Sequence, residues 1–137
     1  MFCIRIPFLN KEYIMINDKL SVSATHIRYL IAMKELDSKD GIRSSDIAYK
    51  LRLSRPTVHS MMDTFLGMEY IVKKTGGQIF LTKYGADTAG YYDKLFCGVK
   101  QQLFGEIQED QSVDRGICAL IAELSQPCRE HLERLAE

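Results

Sequence analysis

Hydrophobic and polar positions change period several times along the chain, and each change marks an element. Two short alternating runs, Phe2-Ile4-Ile6 and Tyr13 to Ile16, flank Asn10-Lys11-Glu12, so residues 1–22 read as an extension with a hairpin. Helical spacing begins after Ser23, with Ile27, Leu30 and Ile31 on one side, and should end near Asp37, before Ser38-Lys39-Asp40-Gly41. Ser44 or Ser45 then caps a short helix whose Ile47, Ala48 and Leu51 share a face, with Asp46 against its positive end. Arg52-Leu53 turns the chain. Ser54 caps the next helix, Pro56 sits in its first turn where no donor is needed, and Val58, Met61, Met62 and Phe65 form its buried stripe.

Beyond this helix, Tyr70-Ile71-Val72 and Ile79-Phe80-Leu81 read as two strands joined by the basic tip Lys73-Lys74-Thr75-Gly76-Gly77-Gln78. Thr82 caps a long helix with Leu95, Phe96, Val99, Leu103 and Phe104 on its apolar face, and Gly85, Gly90 and Gly98 offer places for close helix approach. A helix over Val113–Leu124 follows. Pro127 starts another, whose Cys128, His131, Leu132 and Leu135 are placed to face a partner. Two short helices, a tight turn and a basic hairpin predict a mainly α fold with a small β-hairpin wing: a winged helix-turn-helix over 23–83 joined to a helical dimerisation region over 84–137.

Composition narrows the class without changing this picture. The 137 residues are 46% hydrophobic and 26% charged, which suits one small globular domain with an oligomerisation appendage and excludes a largely disordered chain. There is no apolar run of membrane-spanning length and no signal-peptide pattern at the start, so a cytoplasmic protein without a membrane partner is expected. Net charge is zero, but it is unevenly spread: residues 39–83 carry eight basic and four acidic side chains, residues 84–137 five and ten. A basic middle and an acidic tail predict a surface for a polyanion kept apart from a second, helical function.

The candidate chemistry follows from that placement. The second helix of the pair leaves Arg55, Thr57, His59, Ser60 and Asp63 on or near its outer face. Arginine can bond a guanine edge through two donors, and serine and threonine reach phosphates, so Ser54, Arg55, Thr57, His59 and Ser60 are candidate contacts to double-stranded DNA. Lys73, Lys74 and Gln78 on the wing, Lys50 and Arg52 at the turn, and Arg43 and Ser44 ahead of the first helix of the pair complete the set. Cys3, Cys97, Cys118 and Cys128 form no CxxC pair, and the three histidines no HExxH spacing, so reduced thiols are expected and a zinc site is not. No phosphate-binding loop, nucleophile elbow or dinucleotide fingerprint is present, so no enzyme is expected.

Over RSSDIAYKLRLSRPTVHSMMDTFL…EYIVKKTGGQIFLTKYG, and more weakly over residues 24–136, the chain resembles the metal-dependent repressors of diphtheria toxin and manganese transport. The short wing, the LTKYG start of the long helix and the tail SVDRGICALIAELS carry the likeness. The resemblance implies a homodimeric regulator that places both recognition helices on a near-palindromic operator, with ferrous iron or manganese fixing the dimer. It also implies ligand positions near Thr25, Arg28, Phe96, Lys100, Asp114 and Cys118, and there this sequence departs from the family: the tail pattern Cys-x-x-Glu-His reads Cys118-Ala119-Leu120-Ile121-Ala122. Hard divalent ions need oxygen or nitrogen donors that phenylalanine, isoleucine and alanine lack, so the metal switch is expected to be lost, with Cys118 and Asp114 the remaining metal candidates. Two other readings stay open. One is a winged-helix protein-interaction module without DNA binding, the other a metal- or thiol-responsive repressor using Cys118.

Overall fold

The computed structural model describes residues 22–137; the expected hairpin in 1–22, and Cys3 with it, falls almost wholly outside them. The order is α1 (Ala24–Leu36), α2 (Ser44–Leu51), α3 (Arg55–Gly67), β1 (Ile71–Lys73), β2 (Ile79–Leu81), α4 (Lys83–Phe104), α5 (Gln111–Glu123) and α6 (Gln126–Leu135). The protein is mainly helical with one small antiparallel hairpin wing, as the sequence predicts. Among the described residues, no helix is long and apolar enough to cross a membrane. The chain divides into two compact units, one over Tyr29–Gly90 and one of residues up to 28 with Tyr91–Glu137, the divisions falling inside α1 and α4.

The 29–90 unit is the winged helix. Its core is Tyr29, Leu30, Met33, Ile42, Ile47, Val58, Met62, Phe65, Tyr70, Ile71 and Ile79, all 2% exposed or less. Met61, expected in this stripe, is only half-buried, because on α3 it lies at the edge of the arc centred on Val58, Met62 and Phe65. Phe65 meets Tyr29 and Tyr70 edge-on, at ring-centroid distances of 6.1 and 5.3 Å. Tyr70 lies just ahead of β1 rather than in it, its N–H turned back to the Phe65 carbonyl at 3.0 Å.

Ser54 caps α3 as predicted: its Oγ accepts from Thr57 N–H at 3.3 Å and lies 2.6 Å from Thr57 Oγ1. Ser54→Ala is expected to cost about 1 kcal/mol of unfolding stability, measured by urea denaturation, because Thr57 N–H loses its acceptor. At α2 the prediction needs correcting. The cap position is Arg43, with no side-chain hydrogen bond, and Ser44 is already helical. Ile42 explains this, since its N–H and carbonyl both pair with Ile79, at 2.7 and 2.9 Å, so the chain leaves a sheet contact and enters the helix within one residue. Arg52 closes α2 in the left-handed region, at φ 56°, which permits the tight turn into α3.

In the other unit, Tyr92, Leu95, Val99, Ile117, Cys118 and Ile121 are buried, each at 5% exposure or less. Gly98 allows α6 to approach, since a Cβ there would sit 2.6 Å from Ala136 Cβ. Lys94 pairs with Glu137 at 3.3 Å, and the buried Arg129 donates from Nη1 to the Leu124 carbonyl at 3.0 Å. Leu103, expected on the buried face of α4, is 66% exposed, because it lies in the helix's last turn, past the span that α6 covers.

Candidate nucleic-acid interface

The wing is pinned to the rest of the winged helix from two sides. Its strands pair Ile71 with Leu81, Val72 with Phe80 and Lys73 with Ile79, and the Ile42–Ile79 bridge attaches them to the approach to α2. At the tip, Gly76 and Gly77 take positive φ values of 93° and 85°, which close the turn where Lys74 N–H meets the Gln78 carbonyl at 2.9 Å. Lys74 Nζ lies 4.2 Å from the centroid of the Phe80 ring, a cation–π contact that fixes the direction of the ammonium.

These constraints bring Arg43, Lys73, Lys74 and Gln78 together as walls of one open cleft of about 940 Å³, with Thr75 and Ser38 beside them. Asp40 and Asp46 line it as well, so the cleft is polar and mixed in charge, with its lysines on the wing side. The start of α3 forms the neighbouring surface. Ser54, Arg55, Thr57, His59, Ser60, Asp63 and Thr64 are all exposed, opposite the Val58–Met62–Phe65 stripe. Thr57 is engaged with the Ser54 cap, so its hydroxyl is already oriented.

Two predicted contacts turn out to be tied to carboxylates. Lys50 Nζ lies 2.6 Å from Glu35, which draws it toward α1, and Lys73 Nζ lies 3.3 Å from Asp63 on α3. Among the described residues, Arg43, Arg52, Arg55 and Lys74 form no ion pair. The sequence placed Asp63 on the outer face without giving it a role, and it did not single out Tyr49, which is 78% exposed on α2. Spacing alone could have found Tyr49, one step off the Ile47–Ala48–Leu51 face.

The positions that the family resemblance marks as metal ligands do converge, but with the wrong chemistry. Lys100 Nζ sits 3.0 Å from Asp114 Oδ1 and 5.5 Å from the Phe96 ring centroid, and the charges of Arg28 and Asp114 both act on Cys118. A divalent ion there would meet two cations and a ring, with the only carboxylate already paired, so these residues do not fit iron or manganese. Among the described residues, no three of His, Cys, Asp and Glu gather closely enough to hold a metal.

Cys118 is 1% exposed, and burial pushes its thiol up to about 12, with Arg28 opposing the rise and Asp114 adding to it. It therefore stays protonated at neutral pH, and thiolate is the reactive form. Iodoacetamide at pH 7.5 is expected to label the exposed Cys97 and Cys128 and to spare Cys118 until the protein unfolds, as read by mass spectrometry. The same shift has a pH consequence. The unfolded thiol ionises from its ordinary value of 9.0, while the folded one keeps its proton to about 12. Its contribution to stability is thus complete below pH 9 and falls by about 1.4 kcal/mol per unit as pH rises through that window.

No protein-family model and no curated protein matches the chain. Among solved structures, the crystal structure of the hypothetical protein SSo2273 from Sulfolobus solfataricus is similar, with a TM-score of 0.60 and 18% identity over 82% of this chain and 87% of that one. At that identity the likeness is one of fold, the same mainly helical architecture with a small hairpin.

Proposed function

We propose that the protein is a transcriptional regulator that binds double-stranded DNA as a homodimer, with α3 in the major groove and the wing tip on the adjacent backbone. The observation that carries this reading is the set of cations outside ion pairs, Arg43, Arg52, Arg55 and Lys74, bordering the hydroxyl-rich outer face of α3 on a wing fixed by Ile42 and Phe80. Side chains of this kind match phosphate and base-edge contacts, and a helix with an exposed polar face fits the major groove. The mismatched donors around Lys100 and Asp114 support a regulator whose DNA binding does not depend on iron or manganese.

A second copy of the chain is the partner assigned to the helical unit. Leu103, Phe104, Val113, Gly116, Ile117 and Leu120 line an apolar groove of about 360 Å³, and Leu103, Ile107 and Leu120 stand 66%, 54% and 41% exposed beside it. Protrusions and groove thus share one face, as a two-fold, self-matching interface requires, and that face is rimmed by Arg115 on one side and Glu106 and Glu109 on the other. Sedimentation at micromolar concentration should give a dimer, and Leu103→Glu with Leu120→Glu a folded monomer. A wild-type monomer would remove the homodimer from the reading. The DNA-binding part is tested by capture of genomic fragments on the purified protein followed by sequencing: enrichment of near-palindromic sites is expected, and recovery no better than for a control protein would transfer the reading to a protein-interaction module.

A further inference from the structure

One carboxylate stands on the outer face of α3. Asp63 is one turn beyond His59 and Ser60, and its side chain is 75% exposed although it is paired with Lys73. Against a polyanion, a bare carboxylate on a recognition surface would be repelled. Here Lys73, reaching from β1, holds Asp63 Oδ1 at 3.3 Å and cancels that charge locally. Among the described residues, the second oxygen, Oδ2, has no partner. The pair therefore presents an oriented acceptor, electrically quiet at long range, on the face that meets base edges.

We infer that Asp63 is a specificity-determining residue that accepts a hydrogen bond from a cytosine amino group in the major groove, with Lys73 positioning it. The inference rests on the DNA-binding reading above. The choice of base follows from the edges. Guanine presents only acceptors there and thymine an acceptor and a methyl group, all of which leave a carboxylate unsatisfied. Adenine offers an amino group beside the N7 acceptor, which repels the carboxylate, whereas cytosine presents its amino donor with no acceptor at its side. Lys73 takes a role different from that of Lys74: it neutralises and aims Asp63, while Lys74, set by Phe80, is directed to the backbone.

The test is selection from a randomised duplex pool with the full-length protein, comparing wild type with Asp63→Ala, Asp63→Asn and Lys73→Met, each checked for an unchanged melting curve. Wild type should enrich cytosine at one position of each half-site, by roughly 5- to 150-fold over the other bases. Asp63→Ala should lose that preference while keeping the others, and Asp63→Asn should move it to adenine, whose N6 and N7 suit an amide. Lys73→Met should weaken binding to all sequences and retain cytosine. Were Asp63→Ala and Asp63→Asn to bind with the wild-type base profile, Asp63 would be only a strut for the wing and the inference would be overturned, with DNA binding intact. Failure of the wild type to bind any duplex would overturn it together with the reading on which it rests.

Discussion

Replacing Arg52, Arg55 and Lys74 together with alanine is expected to lower the affinity for duplex DNA by about 100-fold at physiological salt and to flatten its salt dependence. The three lie outside the core, at the turn, at the first position of α3 and at the wing tip. None carries an ion pair among the described residues, so their removal strands no buried charge. Each lost phosphate contact removes about one unit from the slope of log affinity against log salt, and about 1 kcal/mol per contact multiplies to the stated loss. Lys50→Ala is the informative comparison. Its ammonium is held on Glu35 at 2.6 Å, so its loss should change DNA affinity by less than about threefold, since exposed pairs of this kind contribute about 0–1 kcal/mol. Polarisation titrations of both variants against one duplex read the two effects directly.

Gly85→Ala should be the most damaging single substitution in the winged-helix unit. Gly85 is buried in the first turn of α4, and a Cβ there would overlap the backbone carbonyl of Tyr70. That carbonyl cannot yield freely, because it accepts from Thr82 N–H at 2.9 Å and from Thr82 Oγ1 at 3.2 Å. Thr82 Oγ1 in turn accepts from Gly85 N–H at 2.9 Å, so the methyl group would force apart the cap of α4 and the entry to β1 at once. A loss of about 3 kcal/mol follows from a backbone overlap plus hydrogen bonds broken in a part-buried setting, equivalent to roughly 10 °C in melting temperature for a chain of this size. Gly90→Ala supplies the contrast within the same helix. Nothing lies within 4 Å of a Cβ at Gly90, so alanine there should raise stability by about 0.5–1 kcal/mol. Thermal melts of the two variants should therefore move in opposite directions.

What the sequence made legible was what local chemistry decides. The Ser54 cap, the strand Ile79–Leu81 and the Thr82 cap occur where predicted, because each depends on residues within a few positions of one another. The start of α2 was misplaced at the serines because the residue that sets it, Ile42, is fixed by pairing with Ile79, which is remote in the chain. The same holds at the candidate interface. Periodicity identified its outer face but could not show that Lys50 and Lys73 are claimed by Glu35 and Asp63, since such pairs form only when separate elements meet. Met61 and Leu103 were assigned to buried stripes from spacing, which gives the direction a residue faces but not how far its cover extends.

The lapse of the metal positions has the same two-level character. Phenylalanine and lysine in place of donors are readable from the sequence, whereas the pairing of Lys100 with Asp114 belongs to the fold. That pair is 35% and 44% exposed, so it adds little stability. Its effect is to occupy with a fixed positive charge the place a metal would need.

The central claim is tested most directly by the affinity for duplex DNA across a salt series, measured by fluorescence polarisation with manganese, with ferrous iron and with chelator. Four cations per protomer in a dimer give a slope of about −7 in log affinity against log salt, and the account expects a slope near that value, identical in all three conditions. No binding at low salt, or binding with a slope shallower than about −2, would contradict a phosphate-contacting regulator. Binding that appears only with metal would contradict the reading of Lys100 and Asp114.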